Sequence, residues 1–382
     1  MSTRIIRKLI KLIIPFIVYF SITIELLPRI MVAGRDITSG DIYILIVGDF
    51  ENNNSFGKQV LKGFETAYKT SNKKHFKYEI VSIDESLVQK ASGLINIETN
   101  SLISELRKKM IYQISSKNIV AIISANTSQT VTACLELGNT FNIPVLVTVA
   151  TRKSVTSSFP NITFRLLPDN SKQAKAIVKW MSKKFPDNSS EFGVLYSPTF
   201  YGRDLLESLR KLIGFEKIIP FSISTTTDIA GALRYGMNMN IDSWIALAYQ
   251  QESIEIYLKK KHMFADIPIL FSDGAYGDWI KELNSKSEKY VYLSFPLTYR
   301  GQKMRSNIID IESFGVFGYD ACKLLIKIFE STKISNRLSL IEALKETDIQ
   351  EANNMFIGRY KFMDGENVYS DFEVYEIETS IP

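Results

Sequence analysis

Residues 119–123, Ile-Val-Ala-Ile-Ile, form an unbroken apolar run rich in β-branched side chains. Such a run predicts a strand buried on both faces of a parallel sheet. A polar loop follows over 124–129, and then Val131, Cys134, Leu135 and Gly138 take up the spacing of one helix face. Ser128 or Thr130 is the expected N-cap. Hydroxyls and free backbone amides therefore gather at a helix amino terminus, just past the carboxyl end of a strand. Open α/β sheets bind anionic groups there. The plainer alternative is an ordinary strand-to-helix loop with a serine cap.

The same alternation runs through most of the chain. Apolar runs predict further strands over 42–47, 78–83, 143–149, 162–167, 192–196, 218–223, 243–249, 267–271 and 290–295. Helical faces lie between them: Val60, Leu61, Phe64, Ala67 and Tyr68; Leu102, Leu106, Met110 and Ile114; Ala174, Ile177, Val178 and Met181. A strong helix spans 314–329, with Phe317, Ala321, Leu324, Leu325 and Ile328 on one face, and a last one spans 338–345. Residues 358–362 and 372–377 read as a hairpin turning at Asp364-Gly365. Residues 84–100 read as a surface insertion. Strands alternating with helices mean parallel sheets with crossovers. This many units suit two α/β lobes with a ligand cleft between them better than one very large sheet.

Charge changes the picture only at the amino terminus. The net charge is +5, and Arg4, Arg7, Lys8, Lys11, Arg29 and Arg35 against Glu25 already account for it. The rest balances, so no nucleic-acid footprint follows. The basic stretch precedes residues 12–24, which carry no charge. That is short for a membrane span and suits the core of an export signal, with Pro28, Ala33 and Gly34 as a cleavage region. An uncleaved anchor is the alternative. Cys134 and Cys322 both fall in helical patterns and read as buried thiols rather than a disulfide or metal pair.

Catalytic parts are scarce. The two histidines, His75 and His262, sit in lysine-rich, surface-like stretches. The chain has no dinucleotide fingerprint, phosphate loop or nucleophile elbow, and its acidic residues do not cluster as metal ligands would. A binding protein with no cofactor and no metal is expected, not an enzyme.

Read against known families, the chain resembles the type I periplasmic solute-binding proteins, the branch of the leucine/isoleucine/valine-binding proteins, from about residue 42 to 377. The resemblance rests on an ordered set of short motifs. Residues 119–123 followed by 126–130 look like that family's strand and serine loop, and 143–151 like its next strand with the closing Ala150-Thr151 pair. Phe164-Arg165, Pro168 and Gln173-Ala174 resemble its crossover, Tyr201-Gly202 a helix opening, Gly318-Tyr319-Asp320-Ala321 the late helix, and Gly358, Phe362 and Gly365 the closing hairpin. The chain departs from the pattern where residues 71–74 replace an early Gly-Gly turn, and Asp84 answers to the acid after the second strand.

The resemblance implies an α/β fold: two doubly wound parallel-sheet lobes with a hinge and an interlobe cleft, the type I periplasmic binding protein fold. It implies an export signal or anchor at 1–35, a first lobe of 41–165 plus 297–332, and a second of 166–296 plus 333–380. It further implies capture of an amino acid or similar small carboxylate outside the cytoplasm, with a membrane transporter permease or a receptor partner. Carried over by position, Ser128 and Thr151 would receive a ligand carboxylate, with main-chain contact from Val149. Tyr201 and Tyr249 would wall the cleft, and Asp273 would pair with an α-ammonium. Asp273 also reads as a turn residue before Gly274. Ser128 and Asp273 are expected to face an open, wet cleft, so that replacing either would leave the stability of the empty protein nearly unchanged.

Overall fold

The computed structural model describes residues 41–53, 55–86, 97–186, 190–223, 226–285, 290–296, 314–350 and 354–377. The amino-terminal signal-like segment, the insertion over 87–96 and the connection over 297–313 lie outside the described residues. The strands are β1 (Tyr43–Gly48), β2 (Lys77–Ser82), β3 (Ile119–Ala125), β4 (Val145–Val147), β5 (Thr163–Arg165), β6 (Phe192–Tyr196), β7 (Ile218–Ser222), β8 (Ser243–Leu247), β9 (Ile269–Phe271), β10 (Val291–Pro296), β11 (Asp348–Ile349), β12 (Tyr360–Met363), β13 (Glu366–Asn367) and β14 (Phe372–Glu376). The helices are α1 (Phe56–Lys69), α2 (Ile97–Ser116), α3 (Thr132–Phe141), α4 (Ser154–Ser157), α5 (Asn170–Lys184), α6 (Phe200–Ile213), α7 (Thr226–Met237), α8 (Gln250–Met263), α9 (Asp278–Ser285), α10 (Gly315–Ser331) and α11 (Arg337–Lys345).

Two parallel-dominated sheets result. One has the order β11-β12-β13-β5-β4-β3-β1-β2, the other β14-β10-β9-β8-β6-β7. The central strand β3 is buried along its whole length, as its β-branched run requires, and it pairs in parallel with β1 and β4. Helices α1 and α10 pack against one another at backbone contact. A Cβ placed on Gly63 would meet the Gly315 carbonyl oxygen at 1.9 Å, and one on Gly318 the Val60 carbonyl oxygen at 2.0 Å. Only glycines permit that approach.

The carboxyl-terminal segment departs from the sequence reading in two ways. The pair 358–362 and 372–377 is not a hairpin. β12 turns through Asp364-Gly365, both at positive φ, and pairs with the short β13, whereas β14 crosses to the other sheet and pairs with β10. The second correction concerns the lobe boundary, which the sequence reading drew at 333–380. Strands β11, β12 and β13 belong to the first sheet. Helix α11 is tied there too, since Arg337 donates to the Ile119 carbonyl at 2.8 Å and the Phe141 carbonyl at 3.2 Å.

Two buried polar contacts explain this. Fully buried Arg165 on β5 pairs with Glu366 on β13. Asp320 on α10 accepts from the Phe356 and Ile357 amides at 2.7 and 2.8 Å and from the Tyr360 hydroxyl at 2.7 Å. A buried charge must be satisfied in this way to be tolerated, and each fixes a strand that no local periodicity could assign.

Candidate functional site

In parallel sheets the loops and helix starts beyond the strand carboxyl ends form the binding edge, and every predicted site residue lies there, Tyr201 in the first turn of α6 and the others on the connections. On the first sheet, Asp49 follows β1, Glu85 follows β2, residues 126–130 follow β3, and Val149 and Thr151 follow β4. On the second, Tyr201 follows β6, Tyr249 follows β8 and Asp273 follows β9. Ser128, Val149, Thr151, Tyr201, Tyr249 and Asp273 are all buried. The expectation that Ser128 and Asp273 face an open, wet cleft is therefore corrected.

The structure brings three of these residues into direct contact. The Tyr201 hydroxyl donates to the Asp273 carboxylate at 2.5 Å, and the Tyr201 and Tyr249 rings stack with centroids 5.3 Å apart. Gln173, on α5, donates its side-chain amide to the same Asp273 oxygen at 2.9 Å. Burial pushes the Asp273 carboxyl up to about 6, with the Tyr201 and Gln173 hydrogen bonds opposing. Burial also raises the Tyr201 phenol, aided by the neighbouring Asp273 charge.

Ser128, Val149 and Thr151 form a separate group on the first sheet. The Ser128 hydroxyl accepts from the Arg152 amide at 3.4 Å, and the Thr151 carbonyl accepts from the Asn170 amide at 2.9 Å. What joins the two groups is the neighbour of Ser128. The Tyr249 hydroxyl donates to Gln129 at 3.1 Å, across 120 residues of chain. Asp204 on α6 adds a second tie, accepting from the Lys153 amide at 3.2 Å and the Asn170 side chain at 2.8 Å.

The loop opening α3 differs from the expected serine cap. The helix begins at Thr132 with Val131 as N-cap and no side-chain cap. Instead, Glu85 reaches in from beyond β2. One of its carboxylate oxygens accepts from the Asn126 side chain at 3.1 Å, the Thr127 amide at 3.2 Å and the Thr130 hydroxyl. Sequence reading offered Asp84 as the acid after the second strand. Asp84 is exposed and Glu85 is 3 % exposed. Glu85 was missed because its polar surroundings read as a surface insertion. The available signal was its place immediately beyond a parallel strand, on the binding edge of the sheet. Burial raises the Glu85 carboxyl above the usual carboxylate range, against its three donors.

A cleft of about 420 Å³ opens beside this loop, between the sheets. Asp49, Ser55, Phe56 and Glu85 line it from the first lobe, Tyr249 and Gln250 from the second. Phe56 and Tyr249 face one another with ring centroids 6.4 Å apart. Among the described residues, no group of His, Cys, Asp and Glu is arranged to hold a metal ion, and no helix is long and apolar enough to cross a membrane.

The architecture and this edge define a two-lobed ligand-binding module of the type I periplasmic binding protein kind. The chain belongs to the receptor family ligand binding region, whose model matches residues 93–313. It is 24% identical over 245 residues to Glutamate receptor 2.2 of Arabidopsis thaliana, a match covering 58% of this chain. The match spans about a quarter, 26%, of that relative's length. Among solved structures, the branched-chain amino acid transporter substrate binding protein LivJ of Streptococcus pneumoniae, in complex with isoleucine, superposes with a TM-score of 0.67 at 19% identity, over 88% of this chain and 100% of that one. The leucine binding protein LivK of Thermotoga maritima gives 0.68 at 17% identity, over 87% and 97%.

Proposed function

We propose that the chain is a non-enzymatic, extracytoplasmic solute-binding protein that captures an amino acid or related small solute by closure of two lobes. One observation carries the reading: Tyr249, stacked on Tyr201 and through it joined to Asp273, donates to Gln129 on the loop of the other sheet, at facing strand ends. Such a seam is where a hinge-bending pair of lobes encloses a ligand. In this reading Tyr201, Tyr249 and Asp273 form the wall of the site on one lobe, and Ser128 and Thr151 supply polar contacts from the opposite lobe, beside Val149. Delivery to an ABC-type transporter permease is the downstream step. The solved relatives described as a transporter substrate binding protein and a leucine binding protein support it.

A second reading is a membrane-tethered sensing domain that signals to a partner. The match to a glutamate receptor favours it, as does the basic, then apolar, amino terminus. Mass spectrometry of the mature amino terminus separates the two, since a retained anchor fits sensing and a cleaved signal fits transport. Ligand capture itself is tested by a thermal-shift screen against amino acids, small amines and small carboxylates. A ligand bound only by the folded state stabilises it by mass action. A specific class that raises the melting temperature supports the reading, and silence across all classes overturns it.

A further inference from the structure

We propose that the cleft between Asp49, Glu85 and Tyr249 takes a ligand carrying a cationic amine, with Glu85 permanently occupying the anion seat of the α3 loop and Asp49 supplying the counter-charge. The inference rests on the solute-binding reading above and names the charge class of its ligand.

The cavity is about 420 Å³, within the range of small-molecule sites. Its walls carry two carboxylates, two aromatic rings and uncharged polar side chains, and none of the described residues lining it is Lys, Arg or His. An anionic ligand group would need a donor set at one of the helix amino termini that border the cavity, where negative charge is favoured. At α1 the Ser55 hydroxyl already accepts from the Lys58 amide, at α8 the Glu252 carboxylate accepts from the Tyr249 amide, and the fullest set is the loop at the start of α3. That set is already in use. The Asn126 side chain, the Thr127 amide and the Thr130 hydroxyl all donate to Glu85. A ligand carboxylate would have to displace Glu85 or lie against it and Asp49.

A cation meets the opposite situation. The Asp49 side chain accepts from the Asn52 amide at 3.2 Å, and its backbone carbonyl accepts from the Ser55 hydroxyl at 2.5 Å, which fixes the carboxylate at the cavity wall. The Phe56 and Tyr249 rings complete the enclosure, and aromatic faces attract ammonium groups. Burial leaves both acids holding their protons more tightly than usual, so a cation that enters stabilises their charged forms.

The test is calorimetric titration and thermal shift of the full-length protein with 1,4-diaminobutane, 4-aminobutyrate and succinate, three probes of similar length with net charges of +2, 0 and −2, and with leucine as reference. The diamine is expected to bind and raise the melting temperature, 4-aminobutyrate to bind more weakly, and succinate to be silent. Asp49→Asn keeps an oxygen for the Asn52 amide, and Glu85→Gln keeps one for its three donors, so both should fold. Each is expected to weaken the diamine at least tenfold. Succinate binding as tightly as the diamine overturns the inference, as does diamine affinity unchanged in Asp49→Asn. Leucine binding with a silent diamine overturns it too, and leaves solute capture standing. Silence of all four probes, with no hit in the wider screen, overturns both.

Discussion

The Tyr201 hydroxyl and the Asp273 carboxylate lie 2.5 Å apart across 72 residues of chain, and the Gln173 amide closes on the same oxygen. Asp273 thus holds a tyrosine and a glutamine. Asp273→Ala would leave both buried donors without their acceptor, at a cost of roughly 1–3 kcal/mol. A drop of several degrees in the melting temperature of the empty protein is expected. Ser128→Ala loses only a long 3.4 Å contact to the Arg152 amide and should change stability by less than about 1 kcal/mol. Equal effects of the two variants in a thermal melt would contradict this account of Asp273.

How far the sequence carries can be judged from particular elements. The run Ile119–Ile123 and the faces of α1, α5 and α10 were legible because burial on a regular element imposes a period on the chain itself. Tyr201, Tyr249 and Asp273 were singled out through a resemblance, and the structure places them in mutual contact. The C-terminal pairing was not legible. Asp364 and Gly365 specify a tight turn, but β14 pairs with β10 through tertiary packing that leaves no local mark. Glu85 stayed hidden for a related reason. A polar residue buried by its hydrogen bonds looks, in sequence, like any polar loop residue, and Thr130 looked like a cap because the acceptor that takes its hydroxyl, Glu85, lies over 40 residues upstream.

The glycine contact between α1 and α10 makes a sharp pair of expectations. Gly63→Ala drives a methyl into the Gly315 carbonyl, 1.9 Å away, and should cost about 2 kcal/mol or more as the helices are forced apart. Gly231 lies within α7 with nothing within 4 Å of an added Cβ. Gly231→Ala should therefore stabilise by about 0.5–1 kcal/mol through helix propensity alone. Denaturant unfolding of both variants checks the pair, and a neutral Gly63→Ala would mean the helices are not in backbone contact.

Stability should also depend on pH in a definite direction. Burial raises Asp273 and Asp320 from 3.8 to about 6. The folded state then binds these protons more tightly than the unfolded state. Their stabilising contribution is complete below about pH 4 and is lost as pH rises to about 6, on the order of 1–3 kcal/mol for each group. Asp273→Asn keeps an oxygen for Tyr201 and Gln173 and removes one titration. Melting temperatures measured from pH 4 to pH 7 should therefore fall less steeply in that variant than in the native chain, and identical slopes would contradict the assignment.

The central claim is that a small solute is enclosed between the two sheets, across the seam where Tyr249 donates to Gln129. Small-angle scattering of the full-length protein, with and without a saturating ligand identified by the thermal screen, tests it most directly. Closure of the lobes predicts a smaller radius of gyration in the bound state, whereas an unchanged radius at saturation would contradict capture by hinge closure.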